Sequence, residues 1–67
     1  MHQGIIIFYL AEKGYGYLRL RGTREEFHFR GEDVRSPALG KGDAVTFRLA
    51  EGRQGYYAAE VRRANLA

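Results

Sequence analysis

Apolar and polar residues alternate most regularly between positions 44 and 49. Val45, Phe47 and Leu49 are separated there by polar residues, and this period of two predicts a strand with one buried face over 44–49. A turn bracketed by glycines follows, and the aromatic and β-branched residues of 56–61 predict a further strand. The pattern therefore predicts two neighbouring strands in the second half of the chain.

The segment 15–21 also alternates, but its two faces differ in chemistry. One face is small and apolar, with Gly16, Leu18 and Leu20. The other face is aromatic and cationic, with Tyr15, Tyr17, Arg19 and Arg21. A strand here buries its leucines and presents a surface on which a flat, negatively charged polymer can lie, unless the tyrosines merely cover the sheet. We expect Gly14 and Gly16, which lack side chains, to let a ligand approach the ring between them.

The continuous apolar run from Ile5 to Leu10 predicts a first strand. Because it does not alternate, either both of its faces are buried or it presents isoleucine to something other than water. The polar turn 11–14 ends in glycine and predicts a hairpin with the strand over 15–21.

A short third strand is predicted over Phe27, His28 and Phe29. Its two phenylalanines share one face, whereas His28 and Arg30 lie on the other. If this strand pairs with 15–21, His28 and Arg30 stand beside the two tyrosines; the alternative is a merely solvated surface histidine.

The segment 31–42 contains the only proline and three glycines, which predicts a loop with one helical turn. Val34 and Leu39 are expected to anchor this loop to the core, and the tail 62–67 is expected to fray. Five short strands without a convincing helix predict an all-β fold, a small closed antiparallel barrel. Periodicity alone leaves open whether the barrel is of the OB type or SH3-like.

Composition limits the classes of function. The chain has 67 residues, no cysteine and two isolated histidines, so we expect one domain over 1–67 without disulfides, metal or other cofactor. No apolar run approaches the ~20 residues of a membrane span and no signal-peptide pattern is present, so we expect a cytoplasmic protein. The formal charge is +3, with nine arginines against two lysines, which favours polyanionic partners. The alternative explanation for the many arginines is the base composition of the genome.

An enzyme is not expected. Glu25 and Glu26 are adjacent and therefore do not converge as paired catalytic carboxylates do. Ser36 has no evident base partner, and the glycines of 13–16 precede no helix that would complete a phosphate-binding loop.

Considered together, these segments resemble a bacterial cold-shock protein, a single cold-shock domain of the OB class, over nearly the whole chain. The segment 12–18 is similar to the family's first ribonucleoprotein motif, with tyrosines in place of the usual phenylalanines. The segment 27–29 is similar to the end of the second motif, and 42–47 and 58–61 follow in matching order. The resemblance implies a small five-stranded antiparallel OB-type β-barrel and a divergent member of the family.

The same resemblance implies that single-stranded RNA or DNA binds to the sheet face by stacking of bases on aromatic rings. The implied stacking platforms are Phe8, Tyr15, Tyr17 and His28. The further implied contacts are Lys13 to the backbone, Tyr56 beside a contact position, and Phe29, although simple alternation would bury Phe29 with Phe27.

The chain also departs from the family pattern. Lysines are usual where this chain has Ile5 and Ile7, and a third-strand aromatic is replaced by Glu26. Tryptophan is usual at position 8, and the loop 31–39 lacks its usual aromatic. Arg19, Arg21 and Arg30 are expected to compensate for the missing cations, whereas the lost rings should weaken binding.

The resemblance and the residue patterns together imply two alternative functions. The first is a single-stranded nucleic-acid-binding protein, an RNA chaperone or cold-shock-like regulator. The alternative is a protein-interaction module, in which Ile5 and Ile7 form an exposed stripe that supports a homodimer through the first strand.

Overall fold

The computed structural model of the protein describes residues 1–64. It contains five strands: β1 His2–Leu10, β2 Tyr15–Leu20, β3 Glu26–Arg30, β4 Ala44–Gly52 and β5 Gly55–Arg63. A single 3₁₀ turn over Gly31–Asp33 follows β3. The paired strands are all antiparallel and lie in the order β3-β2-β1-β4-β5. The predicted all-β fold with five antiparallel strands is confirmed, and it is consistent with a small OB-type fold.

The two outer strands of this sheet, β3 and β5, curve towards each other and make contact. Within residues 1–64 no hydrogen-bonded ladder joins them, so closure of the barrel by hydrogen bonds stays a prediction. Side chains bridge the gap instead, because the Arg30 guanidinium lies 5.0 Å from the centre of the Tyr57 ring. Val34 also forms a parallel bridge to Val61, which ties the loop after β3 to β5.

The core lies between the curved halves of the sheet. Its largest fully buried side chains come from every strand and are Phe29, Phe47, Ile6, Leu18, Val45 and Val61. Leu39 is buried with them and Val34 packs against them, so the predicted loop anchors are confirmed. A domain this small depends on such contacts, because it buries only about 60% of its unfolded surface.

An irregularity in β1 decides which way Phe8 points. Ile6 pairs with Leu18, but Phe8 rather than Ile7 pairs with Tyr17, so Ile7 is an extra residue in the ladder. Strict alternation would place Phe8 on the buried face with Ile6. The bulge turns Phe8 to the outer face instead, beside Tyr17.

Gly16 is needed for close packing inside the sheet and not for access of a ligand to the tyrosine ring. A Cβ at this residue would lie 2.4 Å from the carbonyl oxygen of Phe8 and 2.6 Å from the Phe29 ring. The expectation that Gly16 opens the outer face to a ligand is therefore wrong, because its missing side chain makes room for the core.

β5 is longer than the sequence predicts, since it includes Arg62 and Arg63, which were expected to fray. The Arg63 side chain donates hydrogen bonds to the carbonyl oxygens of Pro37 and Ala38 at 2.9 and 3.3 Å. These bonds hold the strand end against the loop. Residues 65–67 of the predicted tail lie outside the described part of the chain.

Candidate functional site

Four ring side chains meet on the outer face of β1, β2 and β3. This ring cluster consists of Phe8, Tyr15, Tyr17 and His28. Phe8 lies 6.0 Å from Tyr15 and 5.6 Å from Tyr17, measured between ring centres. His28 lies 5.9 Å from Tyr15 and 5.5 Å from Tyr17. The four residues predicted as stacking platforms therefore form one continuous aromatic surface.

The register of β2 and β3 brings the cluster together. Tyr17 pairs with His28 and Tyr15 pairs with Arg30, which confirms the predicted placement of the third strand. Leu18 and Phe29 point to the opposite side and are fully buried. Alternation along both strands thus places rings outside and apolar anchors inside.

The rings differ in how much of each is open to solvent. Tyr17 is 37% exposed, whereas Phe8, Tyr15 and His28 are half-buried by their neighbours. The mutual edge-on and stacked contacts hold the rings in place, which limits the side-chain entropy lost when a base stacks on them.

The turn between β4 and β5 faces the ring cluster and forms the second wall of a groove of ≈ 730 Å³. This hairpin wall comprises residues 52–57 and includes Arg53, Gln54, Tyr56 and Tyr57. Tyr56 is 62% exposed, and it is the residue of this wall that the sequence predicts as a contact. The other residues of the wall could have been suspected from the glycines, arginine and tyrosines that cluster at 52–57. Alternation of apolar and polar residues, however, does not show that the hairpin bends across β2 and β3.

Three exposed cationic side chains are unpaired and therefore free to meet phosphates. Lys13 in the β1–β2 turn, Arg19 on β2 and Arg53 in the hairpin wall form no ion pair or side-chain hydrogen bond within residues 1–64. Lys13 and Arg19 were predicted contacts, and both are exposed. Arg53 was not identified from the sequence.

Arg30 also lines the groove, but its charge is already balanced. Its guanidinium lies 3.0 Å from a Glu32 carboxylate oxygen and 3.3 Å from one of Asp33. Partial desolvation opposes its charge, but these two carboxylates outweigh that effect and raise the pKa of Arg30 above its ordinary value. Its contact with Tyr57 links β3 to β5. Because its charge is already paired, Arg30 is a weaker candidate for a phosphate contact than the sequence predicts.

Phe29 is not available as a stacking platform. Its side chain has no exposed surface, and its ring lies 5.4 Å from that of Tyr9 in the core. The contact role that the resemblance implies for Phe29 is therefore wrong, because alternation along β3 places it on the buried face.

The proposed apolar stripe on β1 is less open than expected, since Ile5 and Ile7 are both half-buried. β1 is also a central strand, paired with β2 on one side and with β4 on the other. Exchange of this strand between two copies would break both ladders. A homodimer through β1 stays a prediction.

Residues 1–64 contain no group of three or more histidine, aspartate or glutamate side chains that could hold a metal ion. In that span no helix has the length and apolar character needed to cross a membrane. The cytoplasmic location expected from the sequence stays a prediction.

Comparison with known proteins identifies relatives of similar length. No protein-family model matches the chain. The chain is 36% identical over 63 residues to cold shock protein CspA of Staphylococcus aureus. The aligned region covers 91% of this chain and 96% of the relative. It is 35% identical, with the same coverage, to the proteins of that name from Staphylococcus saprophyticus and Staphylococcus epidermidis.

Proposed function

The chain belongs to the cold-shock protein family, and from that premise we propose that it binds single-stranded RNA or DNA on the ring cluster. The observation that carries the proposal is the continuous surface of Phe8, Tyr15, Tyr17 and His28, with ring centres 5.5–6.0 Å apart. Free cationic side chains border this surface.

Stacking supplies most of the affinity in this proposal. Every base has a π-face, so a base lies on an exposed aromatic ring whatever its sequence, and each such contact contributes about 1–3 kcal/mol. Tyr17 and Tyr56 are the most exposed rings and lie on opposite sides of the groove. A strand lying between them contacts both walls.

Charge supplies the second part of the affinity. Arg53 lines the groove, and the unpaired Lys13 and Arg19 lie on the β1–β2 turn and on β2, close in sequence to the tyrosines that line it. All three are expected to neutralise phosphates of a bound strand, whereas Arg30 is already paired with two carboxylates. Three contacts to a single strand predict a log–log dependence of affinity on salt with a slope of about −2. The interaction is therefore expected to be moderate in strength and sensitive to salt.

Such a surface suits a protein that keeps nucleic acid unpaired. Bases that lie on protein rings are not available for pairing, and stacking discriminates little between sequences. We therefore propose a role as an RNA chaperone or a cold-shock-like regulator, without enzymatic activity.

The experiment is a titration of a fluorescein-labelled, mixed-sequence hexanucleotide followed by anisotropy at low salt. The wild type is expected to bind, and Tyr15→Ala combined with Tyr17→Ala is expected to weaken binding by about tenfold or more. Tyr15→Phe combined with Tyr17→Phe keeps both rings and is the matched control. No binding by the wild type, or equal binding by the double alanine variant, would count against the proposal.

A further inference from the structure

We propose that Glu26 makes the groove selective for bases that present an amino group, so that cytosine is bound in preference to uracil. This inference rests on the proposed function, because it assigns a specificity role within the same nucleic-acid surface. It concerns a carboxylate that the stacking mechanism does not use.

Glu26 lies where it can meet the edge of a stacked base. It is on β3, two residues before His28 and on the same outer face, and it lines the groove together with Tyr17. Its partner across the ladder is Arg19, and the next pair is Tyr17 with His28. Glu26 is thus the diagonal neighbour of Tyr17, at a separation of roughly 7–8 Å that a long side chain spans. A base stacked on Tyr17 or His28 therefore has an edge within reach of this carboxylate.

The Glu26 carboxylate is uncommitted although a cation stands opposite it. It forms no ion pair or hydrogen bond through its side chain within residues 1–64, and it is exposed. Glu60 and Glu32, by contrast, each lie 3.0 Å from an arginine, Arg48 and Arg30 respectively. Glu26 is distinguished from the other unpaired glutamates by its place in the groove lining. The free carboxylate therefore retains its full capacity to accept hydrogen bonds.

The chemistry of a carboxylate discriminates between the two pyrimidines. An ionised glutamate can only accept hydrogen bonds, and the N4 amino group of cytosine donates them. Uracil carries a carbonyl oxygen at that position, and its one donor on the pairing edge, the N3–H, lies between two carbonyl oxygens whose lone pairs repel the carboxylate. The selectivity thus combines an attraction to cytosine with a repulsion of uracil, and neither requires a change in stacking.

Glu26 would have a different effect if it only repelled phosphates. A purely repulsive charge weakens binding of every strand by the same factor and leaves the ratio between two bases unchanged. The ratio of affinities for cytosine and uracil strands therefore separates base recognition from general repulsion.

The test uses labelled hexamers of deoxycytidine and deoxyuridine at neutral pH, which differ in the donor and acceptor groups of the ring but not in size. Wild type is expected to bind the deoxycytidine hexamer about three- to tenfold more tightly, as one net hydrogen bond predicts. Glu26→Gln, whose amide both donates and accepts, is expected to bring this ratio close to one. Glu25→Gln, a neighbouring glutamate outside the groove lining, is the matched control and should keep the wild-type ratio.

Three results would overturn the inference. Equal binding of the two hexamers by wild type would show that the groove is not selective. An unchanged ratio of the two affinities in Glu26→Gln would show that this residue does not cause the selectivity. Both results leave the nucleic-acid-binding function intact. If the wild type binds neither hexamer, the proposed nucleic-acid-binding function itself is contradicted, and the selectivity with it.

Discussion

Tyr17 and His28 lie directly opposite each other on the β2–β3 ladder, with ring centres 5.5 Å apart and ring planes inclined at 76°. This edge-on contact fixes the Tyr17 ring while leaving 37% of the residue exposed. Tyr17 is therefore both well ordered and accessible, which are the two properties that a stacking platform needs.

Replacement of Tyr17 by alanine is expected to weaken binding of a hexanucleotide by about tenfold, because one base loses its stacking surface. Tyr17→Phe retains the ring and should bind within about threefold of the wild type. Anisotropy titration of both variants under identical salt conditions provides the measurement. Wild-type affinity in Tyr17→Ala would show that bases do not stack at this ring.

Phe29 is expected to affect stability rather than contact with nucleic acid. Phe29→Ala should lower the free energy of unfolding by about 3–5 kcal/mol, because it leaves a cavity in a small core. Urea denaturation followed by circular dichroism measures this change. Phe29→Leu should cost less, and its folded fraction should bind a hexanucleotide as the wild type does. A folded Phe29→Leu protein with much weaker binding would contradict the buried role of this ring.

Gly16 is required because the chain leaves no room for a side chain. Gly16→Ala should lower the free energy of unfolding by about 1–3 kcal/mol, since its Cβ would press on the Phe8 carbonyl and the Phe29 ring. Gly40→Ala is the control, because a Cβ there meets no atom within 4 Å. Its effect should stay within about 0.5 kcal/mol. Comparable losses in the two variants, measured by urea denaturation, would contradict the close packing at Gly16.

Arg53 is expected to contribute one phosphate contact from the hairpin wall. Arg53→Gln should make the slope of log affinity against log salt concentration less steep by about 0.7. Arg48→Gln removes the same charge, but Arg48 is paired with Glu60 and lies outside the groove lining, so its slope should match that of the wild type. Equal slopes for Arg53→Gln and the wild type would place the strand away from the β4–β5 turn.

Much of the fold can be predicted from the sequence because alternation along short strands reports burial directly. Val45 and Phe47 on β4, and Leu18 on β2, are fully buried as their pattern predicts. The alternation of β3 also predicts that His28 faces outwards beside Tyr17, once the two strands pair.

Other features depend on interactions that alternation does not describe. The outward position of Phe8 requires a bulge at Ile7, and from the sequence Phe8 was assigned to the site by resemblance alone. The contact of Arg30 with Tyr57 depends on how far β3 and β5 curve towards each other. The pairing of the Arg30 guanidinium with two carboxylates depends on the 3₁₀ turn that brings Glu32 and Asp33 back towards it.

An amide chemical-shift titration of the isotope-labelled protein with a mixed-sequence hexanucleotide tests most directly whether nucleic acid lies on the ring cluster. The largest shifts are expected at Tyr15, Tyr17, His28 and Tyr56, with little change where Arg63 holds the loop at Ala38. Shifts grouped around Arg63 and Ala38 instead, or no shifts at low salt, would contradict binding on this surface.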